Sequence, residues 1–368
     1  MVVQADKVSY TVSIPEIESN TRRIILTGAS GFLGQHLLSA FLTNPPPGVV
    51  PVQQAEDDED ETTADAAGNA VCHHIIALYR SVSGFPEAVQ ALTCATNVDV
   101  TVECLDITKE EQVKAWLANH TALTSSDVCI HTAAMSSPKH CQQNAEAARA
   151  CNVPTFFFDV LQKRNVEIIA FSTDQVYNGT HPPYRETDER GGPSCNMYGT
   201  TKIEMEDYLL QPTFYDSSAV TVLRSSIMLG PKAPILPDVA HTTFLHFCAT
   251  RSADETEFYT DECRSIVAVQ DVVTVLQRLV ALKRNGAPSA AAVFNLGGPE
   301  SVSRFDMARA VFAHLHYAPQ YLIAKKKAGL PVGPVSSPLD ITMDSSKIQD
   351  HTQLQFQTLN DLVRATFV

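Results

Sequence analysis

A glycine-rich turn between an apolar run and an amphipathic segment constrains the fold of this chain more than any other feature. The run RRIILTGAS occupies residues 22–30, and GFLGQHLLSAFL follows at 31–42 with its large apolar side chains on one helical face. The turn carries Gly28, Gly31 and Gly34. Glycine lets a backbone turn tightly and approach a pyrophosphate, and the following helix directs free N–H groups at phosphate oxygens. This order predicts the opening of a dinucleotide-binding unit.

Predicted strands and helices alternate along the chain after this turn. Thr108 is the predicted N-cap of one helix, Ser303 caps another, and Pro154 is expected to kink or divide a third. The alternation predicts an α/β fold with a Rossmann-type doubly wound parallel sheet. The predicted strands lie at 71–80, 100–107, 126–134, 166–174, 220–228 and 294–298, and the predicted helices at 108–120, 141–164, 197–210, 270–284 and 303–315.

Residues 44–70 interrupt the alternation. This segment, NPPPGVVPVQQAEDDEDETTADAAGNA, joins a proline run, an acidic block and small residues. Such a composition buries too little apolar surface to order a chain, so it predicts a loosely ordered insertion. The predicted organisation is an N-terminal arm at 1–20, a dinucleotide-binding domain at 21–230 that contains the insertion, and a smaller lobe at 231–368. This lobe is expected mainly to bind substrate and to be interleaved with the first domain.

Charge and composition exclude several functional classes. The 368 residues carry 27 Lys and Arg against 41 Asp and Glu, a formal net charge of −14, whereas nucleic acid and anionic membranes select basic surfaces. No apolar run reaches the roughly 18 residues that span a bilayer, and no secretory signal is recognised. Nine scattered cysteines without metal-type spacing indicate free thiols and no metal site. We therefore expect a cytoplasmic protein. Arg22 and Arg23, at the start of the first apolar run, are expected to be solvated flanking charges.

The end of the second predicted strand bears on which dinucleotide binds. NAD sites of this type place Asp or Glu there to hold the ribose hydroxyls. This strand ends Tyr79-Arg80-Ser81, and a guanidinium pairs with a 2′-phosphate, so NADP(H) is favoured over NAD(H). The alternative is that Arg80 lies on a solvated loop. Asp106, after the third strand, either contacts the adenine amine or caps the following helix.

A second motif indicates redox chemistry at a carbonyl or alcohol. Tyr198 and Lys202 form Y-x-x-x-K at the start of a predicted helix, so the two side chains share one face. The preceding strand ends Ser172-Thr173-Asp174. An ammonium beside a phenol is expected to lower the pKa of the phenol, and the Thr173 hydroxyl can bond the substrate oxygen. Tyr198 can then pass a proton to a carbonyl that receives hydride.

Together these motifs resemble the extended short-chain dehydrogenase/reductase family. Within it, S-T-D-Q-V-Y-N-G, P-P-Y-R-E-T-D and N-M-Y-G-T-T-K are similar to the dTDP-4-dehydrorhamnose reductase branch. That branch also contains the regulatory β subunit of methionine adenosyltransferase. The similarity runs from about residue 22 to the end, apart from 44–70. It implies a Rossmann-type sheet followed by a smaller C-terminal lobe for the substrate.

The resemblance assigns roles position by position. It implies catalysis by Thr173, Tyr198 and Lys202. It places Arg224 and Arg264 near the substrate lobe, and Asn152 at a structural position on the cofactor side. The residues expected to bind the cofactor are Gly28, Ser30, Gly31, Phe32, Leu33, Gly34, Arg80, Asp106, Ile107, Ala133, Ala134, Tyr198 and Lys202.

Three features depart from the family pattern. His131 stands on the fourth strand where Asn is common, Ser194 replaces a proline four positions before the tyrosine, and the acidic insertion is unusual. None of them removes a catalytic group. Gln175 follows Thr-Asp where a sugar 4,6-dehydratase has a Glu base. Because glutamine cannot titrate, a dehydratase is disfavoured.

Two functional hypotheses from different classes follow from the resemblance. The first is an enzyme, an NADPH-dependent reductase of a nucleotide-linked 4-keto-deoxysugar. The second is a non-catalytic NADP-binding regulator whose partner is the catalytic subunit of methionine adenosyltransferase. The retained triad favours the enzyme without excluding the regulator. The oligomeric state, including a homodimer, stays open.

Overall fold

The computed structural model describes residues 22–43, 73–93, 98–192, 195–211, 220–238, 243–284, 291–331, 333 and 335–368. Ser194, the arm at 1–20 and the acidic insertion at 44–70 lie outside these residues, so the expectations stated for them stay predictions.

A parallel sheet of seven strands forms the centre of the molecule. The strands are β1 (Arg22–Thr27), β2 (His73–Tyr79), β3 (Asp99–Cys104), β4 (Val128–His131), β5 (Glu167–Thr173), β6 (Val220–Ser225) and β11 (Ala292–Leu296). Their order across the sheet is β11-β6-β5-β4-β1-β2-β3, so the direction of winding reverses between β1 and β4. Ligands of open α/β sheets bind at the carboxyl ends of the strands at such a point. The predicted α/β fold is confirmed.

Helices cover both faces of the sheet. On one face, Leu37 and Phe41 of α1 (Phe32–Thr43) pack with Leu276 of α9 (Val269–Arg284). On the other face, Trp116 of α3 (Glu110–Asn119) packs with Phe157 of α6 (Thr155–Gln162). Burial on both faces explains why the strands read as continuous apolar runs. The helices around the sheet are α1 (Phe32–Thr43), α2 (Phe85–Thr93), α3 (Glu110–Asn119), α4 (Pro138–Gln143), α5 (Ala145–Asn152), α6 (Thr155–Gln162), α7 (Met197–Leu209), α9 (Val269–Arg284) and α11 (Ser346–Thr352).

The remaining elements pack around a separate apolar core with Leu245, Phe258 and Met307 at its centre. They are β7 (Met228–Leu229), α8 (Phe244–Ala249), β8 (Thr256–Tyr259), β9 (Cys263–Arg264), β10 (Val267–Ala268), β12 (Val302–Ser303), α10 (Arg304–His314), β13 (Leu322–Lys325) and α12 (Leu359–Thr366). In the chain they alternate with α9 and β11, which belong to the sheet region. Within the described ranges, no helix is both long and apolar enough to cross a membrane.

Of three local signals that predicted helix boundaries, the structure confirms two and contradicts one. Pro154 divides the predicted helix at 141–164, and the Ser303 side chain accepts the Asp306 N–H in a capping box, as predicted. The Thr108 N-cap is wrong, because Lys109 takes that position without a side-chain bond. The Thr108 hydroxyl donates to Asp106 instead, at 2.7 Å. The hydroxyl thus donates to a carboxylate two residues upstream, in a charge-assisted bond, rather than accepting an N–H of the helix.

Arg22 and Arg23 are not solvated, contrary to the expectation. Both are buried in β1. Arg23 Nη1 donates to Asp127 Oδ2 at 3.1 Å, and Arg22 Nη2 lies 3.8 Å from Glu167 Oε2. The partners are more than a hundred residues away in the chain, so no local pattern could identify them.

Candidate functional site

The glycine turn lies at the carboxyl edge of the sheet, where the strand order reverses. Gly28 follows β1 with φ of 67°, and a Cβ there would lie 2.8 Å from the backbone nitrogen of Ala133. A Cβ on Gly34 would collide with the Gly28 carbonyl. Only glycine therefore fits these two positions, and the turn holds α1 against both β1 and the loop after β4.

The N-terminus of α1 is open to a ligand. Gly31 is exposed, and the first helical hydrogen bond runs from the Gln35 N–H to the Gly31 carbonyl at 2.9 Å. The amides at 32–34 consequently have no acceptor within the helix, and no acidic side chain lies in its first turn. This end of the helix suits an anion such as a pyrophosphate. The residues present therefore fit a nicotinamide dinucleotide.

The other residues expected at the cofactor lie along the same edge, but not all can offer a side chain. Arg80 is exposed directly after β2, and Ala133 and Ala134 are half-buried after β4. The side chains of Leu33 and Ile107 belong to the apolar core, so these two residues can offer only their backbone.

Asp106 has a local role in this structure. Its Oδ1 accepts from the N–H of Thr108 at 3.0 Å and from the Thr108 hydroxyl. These bonds close a turn before α3, so the capping alternative is partly correct, although Asp106 is not the N-cap. Contact with an adenine amine stays a prediction.

The start of α7 is pressed against the end of β5. The Asn196 side chain accepts the Gly199 N–H at 3.1 Å and donates to Gln175 Oε1 at 2.6 Å. A Cβ on Gly199 would collide with the Gln175 carbonyl. A glycine one position after Tyr198 thus lets the helix approach the turn that follows Thr173, which brings the predicted catalytic residues together.

Tyr198 keeps its proton more strongly than an exposed tyrosine. Burial raises the pKa of Tyr198, the charge of Asp174 raises it further, and a hydrogen bond with Thr173 acts in the opposite direction. The expectation that Lys202 lowers this pKa is wrong for this structure. The lysine is directed at another acceptor, so its ammonium is not held at the phenol.

Lys202 is a buried cation that forms no ion pair with a carboxylate among the described residues. Only 2% of it is exposed, and Nζ donates to the Phe171 carbonyl at 2.8 Å. Burial lowers the pKa of Lys202 from 10.5 to about 8, against the raising effects of Cys151 and Glu206. A backbone carbonyl of β5 therefore sets the position of the ammonium.

Asp174 is a carboxyl group at the site that sequence reasoning did not single out. It is 2% exposed and accepts from the Ser226 hydroxyl at 2.8 Å and from the Thr173 hydroxyl at 3.2 Å. Burial raises the pKa of Asp174, and the nearby charges of Arg264 and Arg304 oppose that effect. Its position directly after Thr173 in the S-T-D motif was the available signal.

His131, where the family commonly has Asn, links two strands. The imidazole is fully buried, and Nδ1 lies 3.0 Å from the Thr27 hydroxyl. Burial and the charge of Lys202 lower the pKa of His131 to about 3, so the ring is neutral. Thr27 Oγ1 also accepts the Ala133 N–H at 3.2 Å. The loop that is expected to pass under the cofactor is therefore tied to β1.

Asn152 has the structural role that the resemblance implied. Its Oδ1 accepts the Met135 N–H at 2.7 Å, and its Nδ2 donates to the Thr201 hydroxyl at 2.9 Å. The fully buried amide therefore connects α5 to the loop after β4 and to α7. Its contribution on the cofactor side stays a prediction.

Arg224 belongs to a network around the buried carboxylate of Glu206. We call it the Glu206 cluster; it is made of Glu206, Arg224, partly exposed Arg190 and exposed Asp207. Arg224 Nη2 donates to Glu206 Oε2 at 2.8 Å, and Arg190 reaches Glu206 and Asp207 at 2.7 Å each. Arg224 Nη1 donates to the Tyr177 hydroxyl. Arg224 thus lies between α7 and β6 with its guanidinium occupied by these partners.

Arg264 belongs to a second network, the Glu262 cluster, made of Glu262, Arg264, Arg304, Lys327 and Ser337. Glu262 is 8% exposed. Although burial opposes its ionisation, the bond from Lys327 and the charges of both arginines lower the pKa of Glu262 to about 2. A carboxylate is therefore built into the region where Arg264, which the resemblance placed near the substrate lobe, is found.

Comparison with known proteins identifies similar sequences and folds. The family model described as "RmlD substrate binding domain" matches residues 86–367. The chain is 29% identical over 255 residues to methionine adenosyltransferase 2 subunit beta of Xenopus laevis, covering 67% of this chain and 70% of that protein. The corresponding protein of Bos taurus is 27% identical over 226 residues, which cover 64% of its length.

Solved structures share the fold at low identity. A dTDP-4-dehydrorhamnose reductase from Bacillus anthracis, in complex with NADP, has a TM-score of 0.65 at 17% identity and covers 94% of this chain and 99% of that one. A UDP-glucose 4-epimerase from Bifidobacterium longum, in complex with NAD+ and UDP, has a TM-score of 0.67 at 19% identity, covering 93% and 96%. At these identities the likeness concerns the fold.

Proposed function

Because the chain belongs to the RmlD substrate binding domain family, we propose that it is an NADPH-dependent reductase of a nucleotide-linked 4-keto-deoxysugar. The observation that carries this proposal is the convergence of Thr173, Tyr198 and buried Lys202 where β5 ends and α7 begins. They lie at the same edge of the sheet as the open N-terminus of α1. A similar reductase fold is known in complex with NADP.

The protonated state of Tyr198 suits it to act as the acid in a reduction. Bound NADPH would supply the hydride. A carbonyl oxygen that gains negative charge needs a proton, and a phenol with a raised pKa is protonated at neutral pH. Tyr198 is therefore the acid, and Thr173, in hydrogen-bond reach of the same phenol, orients the carbonyl oxygen.

Lys202 supplies positive charge near this proton transfer. With a pKa of about 8 it is mostly protonated at pH 7, and burial strengthens its field because screening by water is removed. Lys202 would also hold the nicotinamide ribose, as the resemblance implies.

The choice of NADP over NAD rests on the end of β2. Arg80 is exposed there and can pair with a 2′-phosphate.

A dehydratase remains disfavoured, because the Gln175 side chain is occupied as an acceptor for Asn196 and cannot act as a base.

The test is NADPH consumption with enzymatically generated dTDP-4-keto-6-deoxysugar, in the wild type and in Tyr198→Phe. Loss of the acid should lower kcat by about 100-fold or more, with the dissociation constant of NADPH near the wild-type value. Tyr208→Phe is the matched control, since Tyr208 lies on the same helix with its hydroxyl bonded to Asp159. Equal turnover in Tyr198→Phe and Tyr208→Phe would contradict the mechanism.

A regulatory function is the second candidate, favoured by the curated relatives that are named methionine adenosyltransferase 2 subunit beta. In that role the fold and the dinucleotide site serve as a scaffold, and the partner is the catalytic subunit of the synthetase. Tight NADPH binding without turnover, together with co-purification of the synthetase from native extract, would support it. A chain purified from that extract without synthetase would count against it.

Either role fits the cytoplasm, where thiols stay reduced. The seven cysteines among the described residues are all free: Cys104, Cys129, Cys141, Cys151, Cys195, Cys248 and Cys263.

A further inference from the structure

The segment that follows β7 packs back onto α1. Residues 230–238, which we call the strap, lie between β7 and α8 in the chain, and both of these elements belong to the lobe. The strap nevertheless contacts the helix that begins at the glycine turn. Ile235 and Leu236 of the strap pack with Phe32 of α1 against the apolar core of the sheet. The strap therefore connects the lobe to the dinucleotide-binding end of α1.

One side-chain oxygen of α1 holds the strap. Residues 234–237 read Pro-Ile-Leu-Pro, and because proline has no backbone N–H, this run contains only two backbone donors. Both of them bind the same acceptor. The N–H groups of Ile235 and Leu236 donate to Gln35 Oε1 at 3.2 and 2.6 Å. The backbone donors of this run are therefore committed to α1, about 200 residues earlier in the chain.

The same side chain also holds the glycine turn. Gln35 Nε2 donates to the Ser30 carbonyl at 2.8 Å, and the Gln35 backbone N–H donates to the Gly31 carbonyl at 2.9 Å. The Gln35 side chain is fully buried. A reversed amide would bring its NH2 group against the two N–H donors of the strap, so the surrounding donors and acceptors fix its orientation. Gln35 therefore joins the glycine turn to the strap through its two polar atoms.

This connection lies where a dinucleotide is expected to bind. Ser30 and Gly31 directly precede the amides at 32–34, which suit a pyrophosphate, and both are bonded to Gln35. If the strap left α1, Gln35 Oε1 would lose its two donors in a buried position, which costs free energy. The side chain would then turn towards other donors and release the Ser30 carbonyl. The end of the helix that binds the anion would lose part of its fixed geometry.

We propose that Gln35 positions the glycine turn for the dinucleotide by fixing it to the strap, so that docking of the strap and binding of the dinucleotide stabilise each other. The inference rests on the proposed function for its choice of NADPH as the ligand. Gln35 is a positioning residue, because it acts through the Ser30 carbonyl and the strap. The lobe thereby contributes to the affinity for a cofactor whose phosphates bind on the other domain.

The first measurement is the dissociation constant of NADPH for the full chain, by isothermal titration. Gln35→Met keeps the length of the side chain and removes both of its polar atoms, so the dissociation constant should rise about 10-fold. Leu236→Pro removes the shorter strap bond from the other side and should raise the constant by a similar factor. Both variants should remain folded, which thermal unfolding checks.

Gln357→Met is the matched control, because the same substitution removes a side-chain amide at another place. Gln357 is half-buried, and its Nε2 donates to Asp271 Oδ1 at 3.0 Å between α12 and α9. Its loss should lower the stability while the dissociation constant of NADPH stays near the wild-type value. An equal dissociation constant in Gln35→Met and Gln357→Met would overturn the proposal.

The double variant shows whether the two changes act through one contact. In that case Gln35→Met combined with Leu236→Pro should bind NADPH about as weakly as either single variant, whereas independent effects would multiply to about 100-fold. A full product of the two single effects would contradict the proposed connection.

Hydrogen exchange measures the coupling from the side of the strap. Because coupling between two sites is reciprocal, saturating NADPH should slow exchange of the amides of Ile235 and Leu236 about 10-fold in the wild type. In Gln35→Met the exchange of these amides should be the same with and without NADPH. Exchange that NADPH does not slow in the wild type would count against the coupling.

The outcomes separate this inference from the proposed function. NADPH binding that depends on Gln35 and the strap, in a chain without turnover, would keep the inference and remove the reductase. Tyr198-dependent turnover, with NADPH bound equally well by the wild type and Gln35→Met, would keep the reductase and remove the inference.

Discussion

The Glu206 cluster and the Glu262 cluster are built from the same groups, a buried carboxylate between arginines, but they balance their charges differently. In the first, Glu206 and Asp207 face Arg190 and Arg224, so the charges sum to zero. In the second, Glu262 faces Arg264, Arg304 and Lys327, and the charges of both arginines also act on buried Asp174. The first cluster joins α7 to β6 below the candidate site, whereas the second borders that site from the lobe.

The two clusters therefore differ in how completely their charged groups are paired. A buried network whose members are all satisfied fixes the elements that it connects. In the Glu262 cluster, Arg304 makes one hydrogen bond of 3.5 Å among the described residues and its side chain is 22% exposed, so this arginine contributes less to fixing the elements around it. Four predictions test this distinction.

The largest loss of unfolding free energy is expected for Glu206→Gln. Removal of the charge of a fully buried carboxylate leaves Arg224 without its carboxylate partner and Arg190 with Asp207 alone, and it should cost about 3–5 kcal/mol of unfolding free energy. Urea unfolding at pH 7 measures it. Glu204→Gln is the control on the same helix, where an exposed pair with Arg149 is worth less than about 1 kcal/mol. Equal losses in the two variants would show that the cluster is not a structural network.

Lys202, a buried cation outside both clusters, should make stability depend on pH. Because its pKa is about 8 in the folded protein and 10.5 otherwise, the unfolded chain binds more protons between these values. The wild type should therefore gain about 3 kcal/mol relative to Lys202→Met as pH rises from 8 to 10.5. Urea unfolding of both proteins across this range gives the difference. A difference that does not change with pH would contradict the assigned pKa.

Glu262 should make stability rise with pH as well, but in the acid range. Its pKa is lowered from 4.5 to about 2, so its contribution is complete above 4.5 and is lost as pH falls towards 2. Since 10% of its side chain is exposed, about 2 kcal/mol should separate the wild type from Glu262→Gln at pH 7. Unfolding at pH 7, 5 and 3.5 follows the decline of this difference. A constant difference over that range would mean that the carboxylate is not held by its cations.

The smallest effect on stability is expected for Arg304→Gln. Its one long bond and its stacking on Phe244 should be worth less than about 1 kcal/mol, against several for Arg224→Gln, which leaves buried Glu206 with fewer partners. Thermal unfolding of the two variants measures the contrast. Comparable losses would make the Glu262 cluster a structural network like the first.

Local patterns predicted much of the fold because their physical causes are local. The positive φ at Gly28, the break at Pro154 and the capping box at Ser303 each depend on residues within a few positions. The same holds for the placement of Tyr198 and Lys202 on one face of α7. The predicted N-cap at Thr108 was wrong because its hydroxyl bonds Asp106 instead of a helix N–H, and the sequence does not show which of these local hydrogen bonds forms.

The sequence by itself determined the order of strands and helices, the glycine turn and the identity of the residues at the carboxyl edge of the sheet. Only the tertiary structure decided the charge state and availability of those residues. Arg23 is buried because Asp127, 104 positions away, pairs with it, and Arg264 is occupied because Glu262 and the loop before residue 340 surround it. The pKa of Tyr198 is raised because packing removes water and brings Asp174 close. Desolvation and pairing between distant residues exist only after the chain has folded, which is why the pattern of residues could predict the site but not its electrostatics.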